Sequence, residues 1–220
     1  MQFLERLTRP RPLLLDGATG SELDRRAVDT SLPLWSARAL LTAPEVLYQI
    51  HTDYLRAGAE IITSNTFRTH RRTLARAGLG ERAEALTHQA VALARQAAAN
   101  FTAGGPRFVA GSLSPLEDCY SPHLVPPPAE CDREHTEMAG WLAAAGADLI
   151  LVETMNTIRE AAAATRAARA TGLPVLTSFV CTSDGRLFSG ETVTEAVRAI
   201  HEIFELHKPT EERSYQWSEA

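Results

Sequence analysis

Short apolar runs alternate along the chain with longer amphipathic stretches. The apolar runs predict five strands, at residues 13–16, 60–65, 108–112, 148–153 and 174–180. Between and after them, apolar residues recur at helical spacing and predict helices at 45–57, 82–100, 130–145, 157–172 and 192–204. Because near-continuous apolar strands that alternate with helices form parallel sheets, the pattern predicts an α/β fold in a single domain.

Polar residues follow each predicted strand at its carboxyl end: Asp16, Ser64 with Asn65, Ser112, Glu153 and Cys181. Both barrels and doubly wound sheets bind ligands at this edge. A doubly wound sheet concentrates such residues at one switch point, whereas a barrel uses every strand end. We therefore expect a barrel of parallel strands covered by helices, and the pattern supplies five βα units of it.

The first strand ends in the turn Asp16-Gly17-Ala18. A carboxylate at this position can bind an ammonium group, and free backbone amides beside it can bind a carboxylate. The combination suits an amino-acid ligand. Asp-Gly is also a common turn sequence, and Asp16 could instead cap a helix that begins near Ser21.

Threonine and glutamate three residues apart form capping boxes at helix starts. Three such pairs precede predicted helices: Thr42 with Glu45, Thr157 with Glu160, and Thr192 with Glu195.

Composition excludes several classes of protein. The 220 residues carry a net charge of −5 without charged blocks, so nothing indicates a nucleic-acid or membrane-surface partner. The sequence contains no run of eighteen apolar residues, no secretory pattern near its start, and neither a dinucleotide-binding nor a P-loop motif. Three cysteines predict free thiols in a reduced, cytoplasmic protein. The only lysine, Lys208, offers no barrel-strand candidate for a Schiff base.

Four of the cysteines and histidines form a second pattern, Cys119-x3-His123 and Cys131-x3-His135. Their number suits a structural zinc site, although the spacing fits no common zinc finger. Cys181, at the end of the fifth predicted strand, is expected to be a buried free thiol.

Five segments together carry a resemblance to a known family: LLDGATGSEL at 14–23, GAEIITSNTF at 58–67, GSLSP at 111–115, LVET at 151–154, and the pieces SF, DGRL and SG within 178–190. In order and spacing, from about residue 12 to about residue 200, they resemble the homocysteine S-methyltransferase family. The resemblance implies a (β/α)8 TIM-barrel type fold, of which this chain contains about the first five βα units. It implies that this eight-unit barrel binds homocysteine and a catalytic Zn2+. It also implies methyl transfer from S-methylmethionine, S-adenosylmethionine, betaine or a folate to give methionine.

Zinc suits this chemistry because a free thiol, with a pKa of about 8.5, is mostly protonated at neutral pH. Zinc binds the thiolate and keeps it nucleophilic.

The resemblance also assigns roles to residues of this chain. Asp16 and Glu153 would bind the homocysteine ammonium, and the amides of Gly17 and Ala18 its carboxylate. Asn65 and Thr66 would lie near the reacting centre. Other interpretations stay open: Asn65 could be a turn residue, and Thr66 and Ser112 could be structural. Glu153 is costly to bury at a strand end unless it is paired.

The sequence departs from the family pattern at the metal. The family's zinc ligands are three cysteines, one after the sixth strand and two adjacent ones after the eighth, and this chain has neither segment. We therefore assign no catalytic and no metal-binding residue. We expect a C-terminally truncated barrel domain at 1–200 and an atypical tail at 201–220. A truncation, a frameshift or completion of the domain by another polypeptide would each account for the missing barrel units and the tail. The open barrel edge predicts self-association, and an inert fragment that acts as a binding or oligomerisation partner is the alternative function.

Overall fold

The computed structural model describes residues 3–205. Four parallel strands form one sheet in the order β1 (Ile61–Thr63), β2 (Phe108–Leu113), β3 (Leu149–Met155) and β4 (Val175–Phe179). The helices are α1 (Phe3–Leu7), α2 (Thr19–Arg25), α3 (Ala39–Thr42), α4 (Pro44–Arg56), α5 (Arg71–Ala75), α6 (Ala83–Asn100), α7 (Pro128–Ala144), α8 (Ile158–Ala170) and α9 (Val193–Glu205). Short 3-10 turns occur at Trp35–Arg38, Gly80–Arg82 and Pro122–Leu124.

Each strand pairs with the strand that precedes it along the chain, and the order never reverses. This order confirms the prediction of a partial (β/α) barrel, because a doubly wound sheet reverses direction at its switch point. The first predicted strand, 13–16, is not a regular strand. It lies beside β1 through a single parallel bridge between Leu15 and Ile61, and the Asp16 amide donates to Ile61 O at 3.0 Å.

Alternating residues of the strands face two different environments. One face packs against the helices, and Ile62, Val109 and Val152 are fully buried there. The other face has its own small apolar cluster, formed by Phe3, Ile61, Phe108, Ala110, Leu149 and Leu151. Helix α1 contributes Phe3, whose ring meets Phe108 edge-on at 5.3 Å.

A buried ion pair holds α1 in this place. Arg6 donates to both carboxylate oxygens of Glu60 at 2.8 and 2.9 Å, just before β1 begins. The Arg6 guanidinium holds the pKa of Glu60 well below its usual range, at about 2. Helix α1 was not predicted from the sequence, because five helical residues carry too little periodicity to be recognised.

Of the three predicted capping boxes, one forms as predicted and two do not. Thr192 and Glu195 form a complete box, with hydrogen bonds of 3.2 Å and 2.7 Å in the two directions. Thr157 accepts from the Glu160 amide at 3.2 Å, but the Glu160 carboxylate turns into the core. The prediction at Thr42 is wrong, because this residue ends α3 and its hydroxyl donates to the Arg38 carbonyl.

The cysteines and histidines do not gather into a metal site. Between residues 3 and 205, no group of three or more potential ligands lies close enough to hold a metal ion. Cys131 Sγ contacts the Pro126 carbonyl at 3.3 Å, and His135 Nε2 lies 3.3 Å from Glu160 Oε1. Cys181 is exposed, so the prediction of a buried thiol there is wrong.

The predicted tail divides in the structure. Residues 201–205 continue α9, which ends at Glu205. Residues 206–220, including Lys208, lie outside the described residues. Within the described chain, none of the helices has the length and apolar character needed to cross a bilayer.

Candidate substrate site

A pocket of about 610 Å³ opens at the carboxyl ends of the strands. On the face that carries the small apolar cluster, β1, β2 and β3 begin with apolar side chains and end with a polar one: Ile61 leads to Thr63, Ala110 to Ser112, and Leu151 to Glu153. The polar ends line the pocket together with the loops that follow the strands. Residues two apart on a strand share a face, so the polar residue at each strand end lies directly above the apolar residue before it. The pocket therefore lies above the apolar cluster that contains Ile61, Ala110 and Leu151.

Asp16 is fixed to the neighbouring strand by both hydrogen-bond donors of one residue. The Thr63 amide donates to Asp16 Oδ2 at 2.7 Å, and the Thr63 hydroxyl donates to Oδ1 at 2.8 Å. Helix α2 begins at Thr19 with Ala18 as its N-cap residue, so Asp16 is not a helix cap. Its carboxylate lines the pocket instead.

Glu153 enters the same pocket from β3. Its Oε1 accepts a hydrogen bond of 2.5 Å from the Ser112 hydroxyl on β2. The next residue, Thr154, has φ of +61° and lies where the register between β3 and β4 shifts. A β-bulge at this position turns the chain so that Glu153 and Thr154 both line the pocket. A threonine in left-handed backbone is strained, and such strain is found most often at functional sites.

Burial changes the acidity of both carboxyl groups. It raises the pKa of Asp16 to about 6, with a smaller contribution from the charge of Glu153 and partial compensation by the Thr63 hydrogen bonds. Burial also raises the pKa of Glu153, against the hydrogen bond from Ser112. Two carboxylates in one half-buried pocket repel each other, and a cation bound between them relieves both costs. The arrangement suits a ligand ammonium group.

The turn at Gly17 and Ala18 lies beside these carboxylates. Neither amide has a hydrogen-bond acceptor within the described part of the chain, and both residues line the pocket. A Cβ on Gly17 would lie 2.8 Å from the Tyr54 hydroxyl, so a side chain at this position would force the Tyr54 ring to move. That hydroxyl donates to the Ala18 carbonyl at 3.2 Å and holds the turn in place.

The structure separates the two predicted residues after β1. Asn65 lines the pocket, is buried, and donates from Nδ2 to the Ser36 carbonyl at 2.8 Å. Thr66 is buried outside the lining, where its hydroxyl donates to the Ser112 carbonyl at 2.8 Å. Thr66 thereby joins the loop after β1 to β2 at Ser112, the residue whose hydroxyl donates to Glu153.

Several lining residues were missed by the sequence analysis, namely Trp35, Phe67, Arg68, Asp118, Cys119 and Tyr120. The Trp35 and Phe67 rings pack edge to face at 5.6 Å and form an aromatic wall. Trp35 reaches this position with φ of +46°, and its indole occupies the space that a Cβ on Gly20 would need. Phe67 and Arg68 stand side by side shortly after the polar end of a strand. An aromatic and a basic residue at such a position could have been predicted to line a ligand pocket.

The pocket does not supply a metal cage. Cys119 lines it, and burial raises the pKa of this thiol. A site for zinc needs three or four nitrogen, sulfur or carboxylate donors around one point. The residues described here do not bring three such groups together, so they do not fit the zinc that the family resemblance implies.

Comparisons with known proteins identify the family and the fold. The family model for homocysteine S-methyltransferase matches residues 13–207. Homocysteine S-methyltransferase of Escherichia coli is 34% identical over 163 residues, which are 67% of this chain and 51% of the relative. Homocysteine S-methyltransferase YbgG of Bacillus subtilis is 31% identical over 168 residues, 70% of this chain and 53% of the relative. The chain spans about half the length of these two relatives.

A solved structure extends the match to three dimensions. The metallated form of the homocysteine methyltransferase MmuM from Escherichia coli superposes with a TM-score of 0.82 at 29% identity. The superposition covers 91% of this chain and 74% of MmuM. Taken with the family match over most of its length, it shows that this chain belongs to the homocysteine S-methyltransferase family.

Proposed function

We propose that this pocket binds homocysteine by its amino-acid end. We further propose that the protein transfers a methyl group from a sulfonium or ammonium donor to the homocysteine sulfur and forms methionine. The observation that carries the proposal is the convergence of Asp16 and Glu153 beside the free amides of Gly17 and Ala18. Family membership supports the reaction type.

The charges of an amino acid match this arrangement. An ammonium group between Asp16 and Glu153 would favour the ionised form of both carboxyl groups and offset the cost of their burial. A carboxylate at the turn would accept from the Gly17 and Ala18 amides. Thr63 and Ser112 hold the two acids in position before the ligand arrives, which reduces the entropy lost on binding. Asn65 and Thr66 stabilise the adjoining loop.

The aromatic wall suits the methyl donor. A sulfonium or quaternary ammonium is attracted to the face of an aromatic ring, and Trp35 and Phe67 present rings to the pocket. Of the donors that the resemblance implies, S-methylmethionine, S-adenosylmethionine and betaine carry such a cation. In the transfer, a sulfur lone pair of homocysteine forms the new bond to the methyl carbon. The bond from that carbon to the donor atom breaks, and the donor keeps the electron pair.

The sulfur must lose its proton before or during this attack. The family resemblance assigns that task to zinc, and one solved MmuM structure is a metallated form. Since the described residues do not form a metal cage, we assign no step of this chain to a metal. The contribution of the described residues is to hold and orient the two substrates.

Calorimetry tests the binding half of the proposal. The 220-residue chain is titrated with homocysteine and with 4-mercaptobutanoate, which differs only by lacking the amino group. We expect homocysteine to bind at least tenfold more tightly, because charge-assisted hydrogen bonds to buried carboxylates are strong. Equal binding of the two thiols would show that the acidic pair does not recognise the ammonium.

A second candidate, an inert fragment that binds without turnover, is favoured by the absence of a three-donor cluster between residues 3 and 205. An assay with homocysteine, S-methylmethionine and added zinc separates the two. Methionine formation by the isolated chain would refute the inert fragment; homocysteine binding without turnover would support it.

Two further properties are part of the proposal. The three free cysteines favour a reduced, cytoplasmic setting. The bridge at Leu15 and the exposed side chains of Leu14 and Leu15, which are 50% and 47% accessible, favour association with a second copy at this edge. Sedimentation of the purified chain tests the association: a monomer at all concentrations would contradict it.

A further inference from the structure

Arg68 presents a cation to the pocket from the loop after β1. It is half-buried, and its guanidinium carbon lies 5.7 Å from the centre of the Phe67 ring. Within residues 3–205, Arg68 forms no ion pair, and its buried Nε has no hydrogen-bond partner. Burial of an unpaired guanidinium is costly, and burial lowers the pKa of Arg68.

The acidic residues near Arg68, Glu117 and Asp118, attract it electrostatically but form no ion pair with it, and their carboxylates accept hydrogen bonds from other residues. Glu117 accepts from Arg76 at 2.7 Å and from Arg72 at 3.4 Å. Asp118 accepts from the Ser121 hydroxyl at 2.7 Å and from the Tyr120 amide at 3.3 Å. Arg68 is therefore left with an open fork of donors that faces the pocket, and a planar fork of this kind matches a carboxylate in a bidentate manner.

We propose that Arg68 binds the carboxylate of the methyl donor and makes the pocket selective for donors that carry one. This inference rests on the proposed function, which places the amino-acid end of homocysteine at Asp16 and Glu153. The aromatic wall begins at Phe67, the residue next to Arg68. A donor with a methylated cation and a carboxylate would set the cation against the rings and the carboxylate against the guanidinium.

Calorimetry with S-methylmethionine and its methyl ester tests the inference. The ester keeps the sulfonium and the ammonium but loses the negative charge. We expect the unaltered chain to bind the acid on the order of ten- to a hundredfold more tightly, as charged hydrogen bonds predict. Arg68→Gln should remove this preference, and Arg68→Lys should keep part of it, because lysine retains the charge without the fork.

Arg76→Gln is the matched control. Arg76 carries the same charge on the same side of the molecule, but it pairs with Glu117 and does not line the pocket. This variant should keep both the preference for the acid and the affinity for homocysteine. Arg68→Gln should also keep its affinity for homocysteine, and circular dichroism shows independently whether the variant is folded.

Four outcomes would overturn the inference. Equal binding of acid and ester to the unaltered chain, or a preference that survives in Arg68→Gln, would refute a donor carboxylate at Arg68 while homocysteine binding leaves the proposed function intact. A loss of homocysteine affinity in a folded Arg68→Gln would assign Arg68 to the other substrate. Failure of the unaltered chain to bind homocysteine would overturn the proposed function and this inference together.

Discussion

Asp16 receives both hydrogen-bond donors of Thr63, from the amide at 2.7 Å and from the hydroxyl at 2.8 Å. This double contact joins the bridge at Leu15 to β1 and fixes the carboxylate at the pocket edge. The arrangement holds the group whether or not a ligand is present. A substitution that keeps these hydrogen bonds and removes the charge can therefore show what the charge of Asp16 contributes to ligand binding.

Asp16→Asn should weaken homocysteine binding without loss of stability. The asparagine carbonyl can accept from the Thr63 amide, and the buried negative charge, which is costly in the free protein, disappears. We expect an unfolding midpoint in urea at pH 7.5 that equals or exceeds that of the unaltered chain, and a loss of homocysteine affinity of at least tenfold.

Asp148→Asn controls for charge removal. Asp148 accepts from the Val109 amide at 2.8 Å, in a similar strand-to-strand contact outside the substrate pocket. This variant should bind homocysteine normally. If both variants lose affinity to the same extent, the effect of Asp16→Asn is a general one and the assignment of Asp16 is refuted.

Homocysteine affinity should rise with pH between about 5 and 7. Burial raises the pKa of Asp16 to about 6, and a bound ammonium favours the ionised carboxylate. Below that pKa, binding must release a proton, which weakens it. Calorimetry across this range in buffers of different ionisation enthalpy measures both affinity and proton release. A flat profile would contradict the account; in Asp16→Asn any remaining slope belongs to Glu153, whose pKa is also raised.

The same shift has an opposite effect on the free protein. Because the folded state holds the Asp16 proton more tightly than the unfolded chain, this group's contribution to the free energy of unfolding falls as pH rises from about 4 to about 6. Urea denaturation at several pH values, compared with Asp16→Asn, measures this contribution. A contribution that increases with pH would mean that the Asp16 pKa is lowered by folding.

Gly20→Ala should displace Trp35 and disturb the aromatic wall. A Cβ at this position would overlap the indole, so the ring must leave its contact with Phe67. We expect a loss of roughly 1–3 kcal/mol in the free energy of unfolding, typical of overpacking, and weaker donor binding. Gly140→Ala is the control, because nothing lies within 4 Å of its Cβ position in α7. It should be neutral or stabilise by about 0.5–1 kcal/mol; a similar loss in both variants would contradict the account.

Glu160 should matter for folding and not for ligand binding. It is fully buried, its Oε1 accepts from the Leu116 amide at 2.8 Å, and the same oxygen lies 3.3 Å from His135. Glu160→Ala leaves both groups without this partner and should cost roughly 2–5 kcal/mol in urea denaturation. Glu160→Gln keeps an acceptor and should cost less than half as much. Equal losses in the two variants would show that the charge, rather than the hydrogen bond, is what the core requires.

The periodicity of apolar residues in the sequence was sufficient to predict the longer helices. The apolar positions of 82–100 and 130–145 predicted α6 and α7 to within two residues at either end, because long helices average over local exceptions. The Thr42 cap was wrong for a local reason. Pro44 is the first residue of α4, so Ala43 takes the N-cap position and Thr42 is left in the preceding helix.

The candidate site could be predicted where its residues lie at the end of an apolar run or directly after it. Asp16 and Glu153 follow apolar runs directly, so their place at the strand ends is set by the chain itself. Trp35 and Arg68 reach the pocket through loops, and Trp35 does so with a positive φ that no sequence pattern signals. The carboxylate role of Glu160 was hidden as well, because a threonine three residues earlier made it look like a cap.

The most direct test of the central claim is a crystal structure of the chain soaked with homocysteine. The account predicts that the ligand nitrogen lies within hydrogen-bond distance of both Asp16 and Glu153, with its carboxylate at the Gly17 and Ala18 amides. Homocysteine bound with its nitrogen away from both carboxylates, or found only outside this pocket, would contradict the account.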